Sequence, residues 1–338
     1  IMNKDSGWRD DVLGPVYRTL GERHPQGDAF HELLFHLVYE RFVRERDSKY
    51  WPYLNVIPNK EELNAPGITW SEDELAELEG SDILPFLRDY SRRVDRKFDG
   101  VKKHVLAQFP EVFVDEHYSR ANYRWAHAIL DSRRIWWGGE GHLVPMLDLV
   151  NCAQGPDPAR VHSTWLDAET QSHAVTKGAW NFKKGEQLFE PYGQPNHIYF
   201  AYHGFMLDHN AHDCVKMDLA LDENDAAYTR KKKELRRVLR SASFCVAPRK
   251  ITQGLLEFMR IAHDAPTRGE QRQALRAECV RRLARYPTTA AEDEAMLAEA
   301  GAWDKLGYKK ATAVKLRLSE KRILTAVVES IGAAKGEL

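Results

Sequence analysis

The sequence predicts an α+β fold, and three stretches carry that prediction. Apolar residues keep a helical period up to about residue 132. Short apolar runs punctuated by Gly and Pro take over between about 138 and 190. The helical period then returns from about residue 213 to the end. In the first stretch Phe30, Leu33, Leu34, Leu37, Val38 and Phe42 fall on one helix face, which leaves Glu32, Glu40, Arg41, Arg44 and Glu45 to the solvated side. Trp51-Pro52-Tyr53 and Ile57-Pro58 interrupt regular structure, because proline has no N–H and restricts its predecessor. Ser71 with Glu74 three residues later predicts a capped helix start. Further helix is expected over 83–109 and 118–132, with Pro110 between them. Gly138, Gly139 and Gly141 open the β-type region, where Ser163–Leu166, Ala174-Val175 and Gln187–Glu190 read as short strands. In the last helix Ile323, Leu324, Val327, Val328 and Ile331 form one stripe.

The balance of charge narrows the function classes. Among 338 residues, 49 basic and 50 acidic side chains leave a formal charge of -1. A uniformly basic nucleic-acid binder is excluded, so nucleic acid is not an expected partner. No apolar run reaches the ~18 residues that a membrane helix needs, so no membrane insertion is expected. The four cysteines, Cys152, Cys214, Cys245 and Cys279, are widely spaced and form no CxxC. They predict free thiols and a reducing compartment, with cytosol, nucleus and organelle interior fitting equally.

Two segments carry the strongest chemical signal. The first is Leu143-Val144-Pro145-Met146-Leu147-Asp148-Leu149-Val150-Asn151-Cys152. The second runs Gly185-Glu186-Gln187, then Tyr192-Gly193, then Asn196, and ends in Tyr202-His203-Gly204-Phe205. In this order they resemble the C-terminal half of a SET domain. The similarity is to the group of Rubisco large-subunit lysine methyltransferases and the actin histidine methyltransferase. Members of that group carry Leu-x-Pro-x-x-Asp-x-x-Asn-His, then Gly-Glu-Gln, Tyr-Gly and Asn, then Tyr-Gly-Phe. Trp51-Pro52-Tyr53, Trp70 to Leu75, Arg124-Trp125-Ala126 and Ser132-Arg133 resemble the helical insertion of its SET domain. Tyr286-Pro287-Thr288-Thr289 and Leu316 to Leu324 resemble its helical substrate-binding domain.

The resemblance implies a SET-type β core with a large helical insertion, followed by an all-helical substrate-binding-like domain. The SET part would occupy 1–212, with the insertion at about 20–132 and the C-terminal core at about 133–212. The helical domain would occupy 213–338. The implied activity is S-adenosylmethionine-dependent N-methylation of a lysine, or in second place a histidine, on a non-histone protein. Arg133 and Asp148 would hold the charged amino-acid end of the cofactor, since a guanidinium reads a carboxylate and an aspartate pairs with an ammonium. Asn151 and Cys152 would meet its adenine and polar edges. Tyr192 would line the channel to the substrate, with His203 at the other catalytic position. Each residue also has a plainer reading: Arg133 as a helix C-terminal cation, Asp148 as a turn former, Tyr192 as an aromatic wedge.

Three departures from the group bear on activity. The chain begins Ile1-Met2-Asn3, and no Gly-x-Gly turn precedes the helix at Phe30, so a SET domain without its first strands is expected. Cys152 stands where the group has histidine. His203 stands where it has tyrosine, and a histidine carries charge near neutral pH. If Tyr202 and His203 lie on an extended segment, they point to opposite sides. These departures motivate a second reading, a catalytically degenerate SET protein that serves a large assembly as a structural or recruiting subunit. His209, His212 and Cys214 match no standard zinc spacing, so no metal is expected. The basic run from Arg230 to Arg240 is interleaved with acids and reads as a solvated helix face.

Overall fold

A computed structural model describes residues 1–23, 28–157, 160–167, 173–299 and 301–333. The chain divides into two compact units, one of residues 1–69 and 89–193, the other of residues 70–88 and 194–338. Among the described residues no helix is long and apolar enough to cross a membrane.

The first unit places short strands beside helices. Strands β1 (Met2–Asn3), β2 (Ile135–Trp137) and β3 (Glu140–Leu143) make an antiparallel sheet in the order β1-β3-β2. Met2 lies opposite Leu143, and Ile135 opposite His142. Strand β4 (Asn151–Cys152) runs parallel to β7 (Phe189–Glu190), and β5 (Ser163–Leu166) forms an antiparallel pair with β6 (Ala174–Lys177). The helix Ala29–Val38 packs on Arg120–Arg133, burying Leu33, Leu34, Leu37 and Val38 with Tyr123, Trp125, Ile129 and Leu130.

The expected solvated face of that helix is corrected at Glu40. The chain widens into a π-helical segment over Tyr39–Arg44, and Glu40, four residues after His36 and seven after Leu33 on the same helical stripe, is 0% exposed. Its Oε1 meets His36 Nε2 at 3.2 Å and accepts from Arg44 Nη1 at 2.8 Å, and Arg44 also pairs with Asp10. A buried charge persists because it is paired, which a period count does not register.

In the second unit the capping box at Ser71 forms as predicted. Glu74 N–H donates to Ser71 Oγ at 3.3 Å, and Ser71 N–H donates to Glu74 Oε2 at 2.7 Å. One core gathers Trp70, Leu78, Ile83 and Leu87 with Phe200 and Leu316. Another gathers Val215, Met217, Val246, Leu255, Phe258 and Leu275 with Leu324, Val327 and Ile331 of the helix Tyr308–Ala333. The basic run forms the helix Tyr228–Val238, whose Lys231 is buried and paired with Asp225 and Asp264.

Two expectations for this unit are corrected. The region after 213 is not all helical, because β8 (Val215–Asp218) pairs antiparallel with β9 (Ser243–Val246). Val215 and Met217 alternate into the core there, a period too short to separate from helix by sequence. The expectation of four free thiols fails as well. The same pairing brings Cys214 and Cys245 to a Cα–Cα distance of 5.3 Å, and they form a disulfide. Their sequence separation of 31 shows nothing of a contact made by strand register. The cysteines therefore give no argument for a reducing compartment, and Cys214 is unavailable as a metal ligand.

Candidate functional site

The site is built on the turn that follows β3. Leu147 and Asp148 N–H both donate to Val144 O at 3.1 Å, and Val150 N–H donates to Leu147 O at 3.1 Å. Met146 enters this turn with φ of 75°, an uncommon conformation for a residue with a Cβ. The winding turns Asp148 inward, where its side chain is 1% exposed.

Three elements converge on that carboxylate. Tyr53, from the short helix Trp51–Leu54 that Pro52 starts, donates its hydroxyl to Asp148 Oδ2. Arg133 is the last residue of the helix Arg120–Arg133, and its Nη1 donates to the Asp148 carbonyl at 2.9 Å. The same nitrogen stands 4.0 Å from Asp148 Oδ2. Asp148 Oδ1 is buried and has no hydrogen-bond partner among the described residues. Burial pushes the Asp148 carboxyl up to about 6, against the opposing pull of the Tyr53 hydrogen bond, the Arg133 charge and its own main-chain N–H. The Tyr53 hydroxyl is raised far above its ordinary value by burial and then by the carboxylate beside it.

Tyr192 closes the turn from the other side, its hydroxyl donating to Val150 O at 2.8 Å. Burial first, and then the neighbouring Cys152, pushes that hydroxyl up to about 12, so it stays neutral across the physiological range. Asn151 and Cys152 form β4, opposite Phe189 and Glu190 of β7. Asn151 is exposed and Cys152 half-buried. Burial raises the half-buried Glu190 carboxyl above its usual range. His162 braces β7: its Nδ1 accepts from Ala179 N–H at 2.9 Å, so Nε2 carries the proton that binds Phe189 O at 2.9 Å.

The structure thus brings Arg133, Asp148 and Tyr192 around one turn, with Asn151 and Cys152 on the strand leading out of it. His203 belongs to the second unit. It ends a π-helical segment, Tyr199–His203, and is followed by Gly204 in the left-handed region at φ of 72°. Its ring lies 5.8 Å from Phe205 and 6.1 Å from Tyr199. The segment is helical, so the condition under which Tyr202 and His203 would point to opposite sides is not met. Adjacent residues in a helical turn diverge by much less than the half-turn of a strand. Tyr53, Glu190 and His162 are the residues that motif reading misses. Tyr53 lies 95 residues from its partner, and no local pattern announces such a contact.

Chemically, the arrangement offers a buried acceptor for a cation and a guanidinium for an anion. That pair suits the zwitterionic end of an amino acid. Comparison with known proteins points the same way as the motifs. Residues 269–324 match the family described as Rubisco LSMT substrate-binding. The chain is 25% identical over 379 residues to the actin-histidine N-methyltransferase of Canis lupus familiaris, covering 98% of this chain and 61% of that protein. The chain therefore spans about three fifths of that relative's length. The SET domain of LSMT, solved bound to lysine and AdoHcy, superposes with a TM-score of 0.77 at 21% identity over 99% of this chain and 80% of that one. Rubisco LSMT bound to AdoMet gives a TM-score of 0.75 at the same identity and coverage. The group read from the motifs is the group these comparisons find.

Proposed function

We infer, from a chain with the fold of Rubisco LSMT and a C-terminal stretch of its substrate-binding family, that the Asp148 turn holds S-adenosylmethionine for protein N-methylation. The acceptor is a side-chain nitrogen of a non-histone protein, lysine ahead of histidine. The division into a SET part over 1–212 and a substrate-binding-like part over 213–338 goes with this reading. The observation that carries it is the buried Asp148 carboxylate with one oxygen unpartnered, set beside Arg133 at the motif positions. Asp148 would take the ammonium of the cofactor's amino-acid end and Arg133 its carboxylate. Asn151 and Cys152 would flank the adenosine.

When bound, the cofactor supplies a methyl group on a cationic sulfur. The chain must then present a neutral nitrogen to it. A lysine of reference pKa near ~10.4 pays about 4.6 kcal/mol to be neutral at pH 7, so the site has to lower that cost by desolvation and alignment. Tyr192 fits this work, because its hydroxyl is neutral, buried and oriented by Val150 O. It can direct a lone pair without adding charge beside a cation.

The test is calorimetric titration with S-adenosylmethionine, followed by labelled methyl transfer to Rubisco large subunit and to actin. The reading expects saturable binding and label on one of them. Absence of any binding heat would sink it. A second reading, a SET-derived scaffold without turnover, is motivated by His203 and Cys152 at positions where the group has tyrosine and histidine. Under it, the wild type transfers little or no label, and a robust wild-type turnover that His203→Tyr leaves unchanged would count against it.

A further inference from the structure

We propose that Tyr53 is a positioning residue for the cofactor. It fixes the Asp148 side chain through Oδ2 so that Oδ1 is kept to receive the ligand's ammonium group. This inference rests on the methyl-donor reading above and deepens it.

The geometry carries the argument. A buried carboxylate ordinarily satisfies both oxygens, because a desolvated oxygen without a donor is destabilising. Asp148 accepts on Oδ2 from Tyr53 and leaves Oδ1 without a partner among the described residues. The nearby cation does not fill the gap. Arg133 spends Nη1 on the Asp148 main chain at 2.9 Å and stands 4.0 Å from the side-chain oxygen already held by Tyr53. A bidentate Arg–Asp pair, the usual end for such neighbours, is therefore not formed. Tyr53 is itself 6% exposed and sits in a helix turn fixed by Pro52 and by Tyr53 N–H bonding to Tyr50 O at 2.9 Å. Its hydroxyl thus reaches the carboxylate from a rigid base, which sets the carboxylate plane and the direction of Oδ1.

The charges around Asp148 give the proposal a signature that a purely structural tyrosine lacks. The groups facing it are the Tyr53 hydroxyl, the Arg133 guanidinium and the Tyr192 hydroxyl, whose own proton feels the Asp148 charge. A hydrogen bond to the charged form favours that form. Removing it raises the pH at which Asp148 ionises, so ammonium binding sets in at higher pH.

The experiment is calorimetric titration of S-adenosylmethionine from pH 5 to 8.5, on wild type and Tyr53→Phe, with melting curves of both. In wild type, affinity should rise as pH passes about 6, where Asp148 ionises. In Tyr53→Phe, affinity at pH 7.5 should fall about tenfold and the midpoint should move up by about one pH unit. An unmoved midpoint overturns the inference, whether or not affinity or melting temperature falls. Wild type without binding at any pH defeats the methyl-donor reading itself, so the two failures are distinct. If Tyr53→Phe does not fold, the carboxyl carbon resonance of Asp148, assigned with Asp148→Asn, carries the test. Saturation with S-adenosylmethionine should lower its titration midpoint, and an unchanged midpoint would contradict the role given to Oδ1.

Discussion

Asp148 in the first unit and Asp293 in the second are both buried carboxylates, yet they are finished differently. Asp293 is 0% exposed, and each of its oxygens is used. Thr288 Oγ1 donates to Oδ1 at 2.7 Å, Arg317 Nη2 to Oδ1 at 3.1 Å, and Lys321 Nζ to Oδ2 at 2.7 Å. Those partners outweigh its burial and hold it below the usual carboxylate range. Asp148 has one strong donor, a guanidinium at 4.0 Å, and an oxygen with no partner among the described residues, and burial holds it above that range. A closed network of charges is architecture, whereas an open one carries a standing cost that a ligand can relieve.

The largest expected effect separates the two directly. Asp293→Ala strands Lys321, 3% exposed, without its counter-charge, and leaves Arg317, 5% exposed, with Glu77 alone at 3.4 Å. It should cost roughly 3–5 kcal/mol in urea unfolding. Asp148→Asn removes a charge that Tyr53 and Arg133 compensate only in part, so its unfolding midpoint at pH 7.5 should hold or rise. Equal losses in the two variants would make Asp148 architectural and end the contrast.

Glu320 sharpens the comparison from the middle ground. It is 2% exposed and accepts from Ser81 Oγ and Tyr286 OH, each at 2.9 Å, but burial still raises it to about 7. A carboxyl raised on folding contributes stability that is present below its unfolded value and lost as pH rises through the folded one. Wild-type stability should therefore decline from about pH 4.5 to about pH 7 through this group. Glu320→Gln should flatten that decline and gain on the order of 2 kcal/mol at pH 8, read from chemical unfolding at a series of pH values. A variant with the same pH slope as wild type would show that the two neutral donors suffice.

A smaller effect is expected at Met146. Where the second unit places Gly204 at φ of 72°, the Asp148 turn places a methionine at 75°, with its side chain 76% exposed. Burial does not repay that conformation, so Met146→Gly should raise stability by about 1 kcal/mol in differential scanning calorimetry. A loss instead would mean that the methionine packs in a way its exposure hides.

Part of this architecture is legible in the sequence, for identifiable reasons. The Ser71–Glu74 box is a local rule, and it formed. Arg133, Asp148 and Tyr192 were legible only as an ordered series, and the turn from Val144 to Val150 shows why, since one short winding serves all three. Glu40 lies on the stripe of Leu33 and His36, and its charge hides this position from a reading that assigns charged residues to solvent. The Cys214–Cys245 bond and the Tyr53–Asp148 bond depend on pairings across 31 and 95 residues, beyond any window in which periodicity has meaning. His203 ends a helical segment capped by Gly204, a local conformation that the Tyr-His-Gly-Phe motif does not specify.

The central claim is that the Asp148 turn grips an amino-acid end, and one ligand pair isolates that grip. S-adenosylhomocysteine and 5′-methylthioadenosine share the adenosine and the sulfur, but only the first has the ammonium and carboxylate. Titrated into the wild-type protein at pH 7.5, S-adenosylhomocysteine should bind at least about 100-fold more tightly, the worth of two charge-assisted contacts. Asp148→Asn should cut that difference to about tenfold, since Arg133 keeps its contact with the carboxylate. Equal affinity of the two ligands for the wild type would contradict the account.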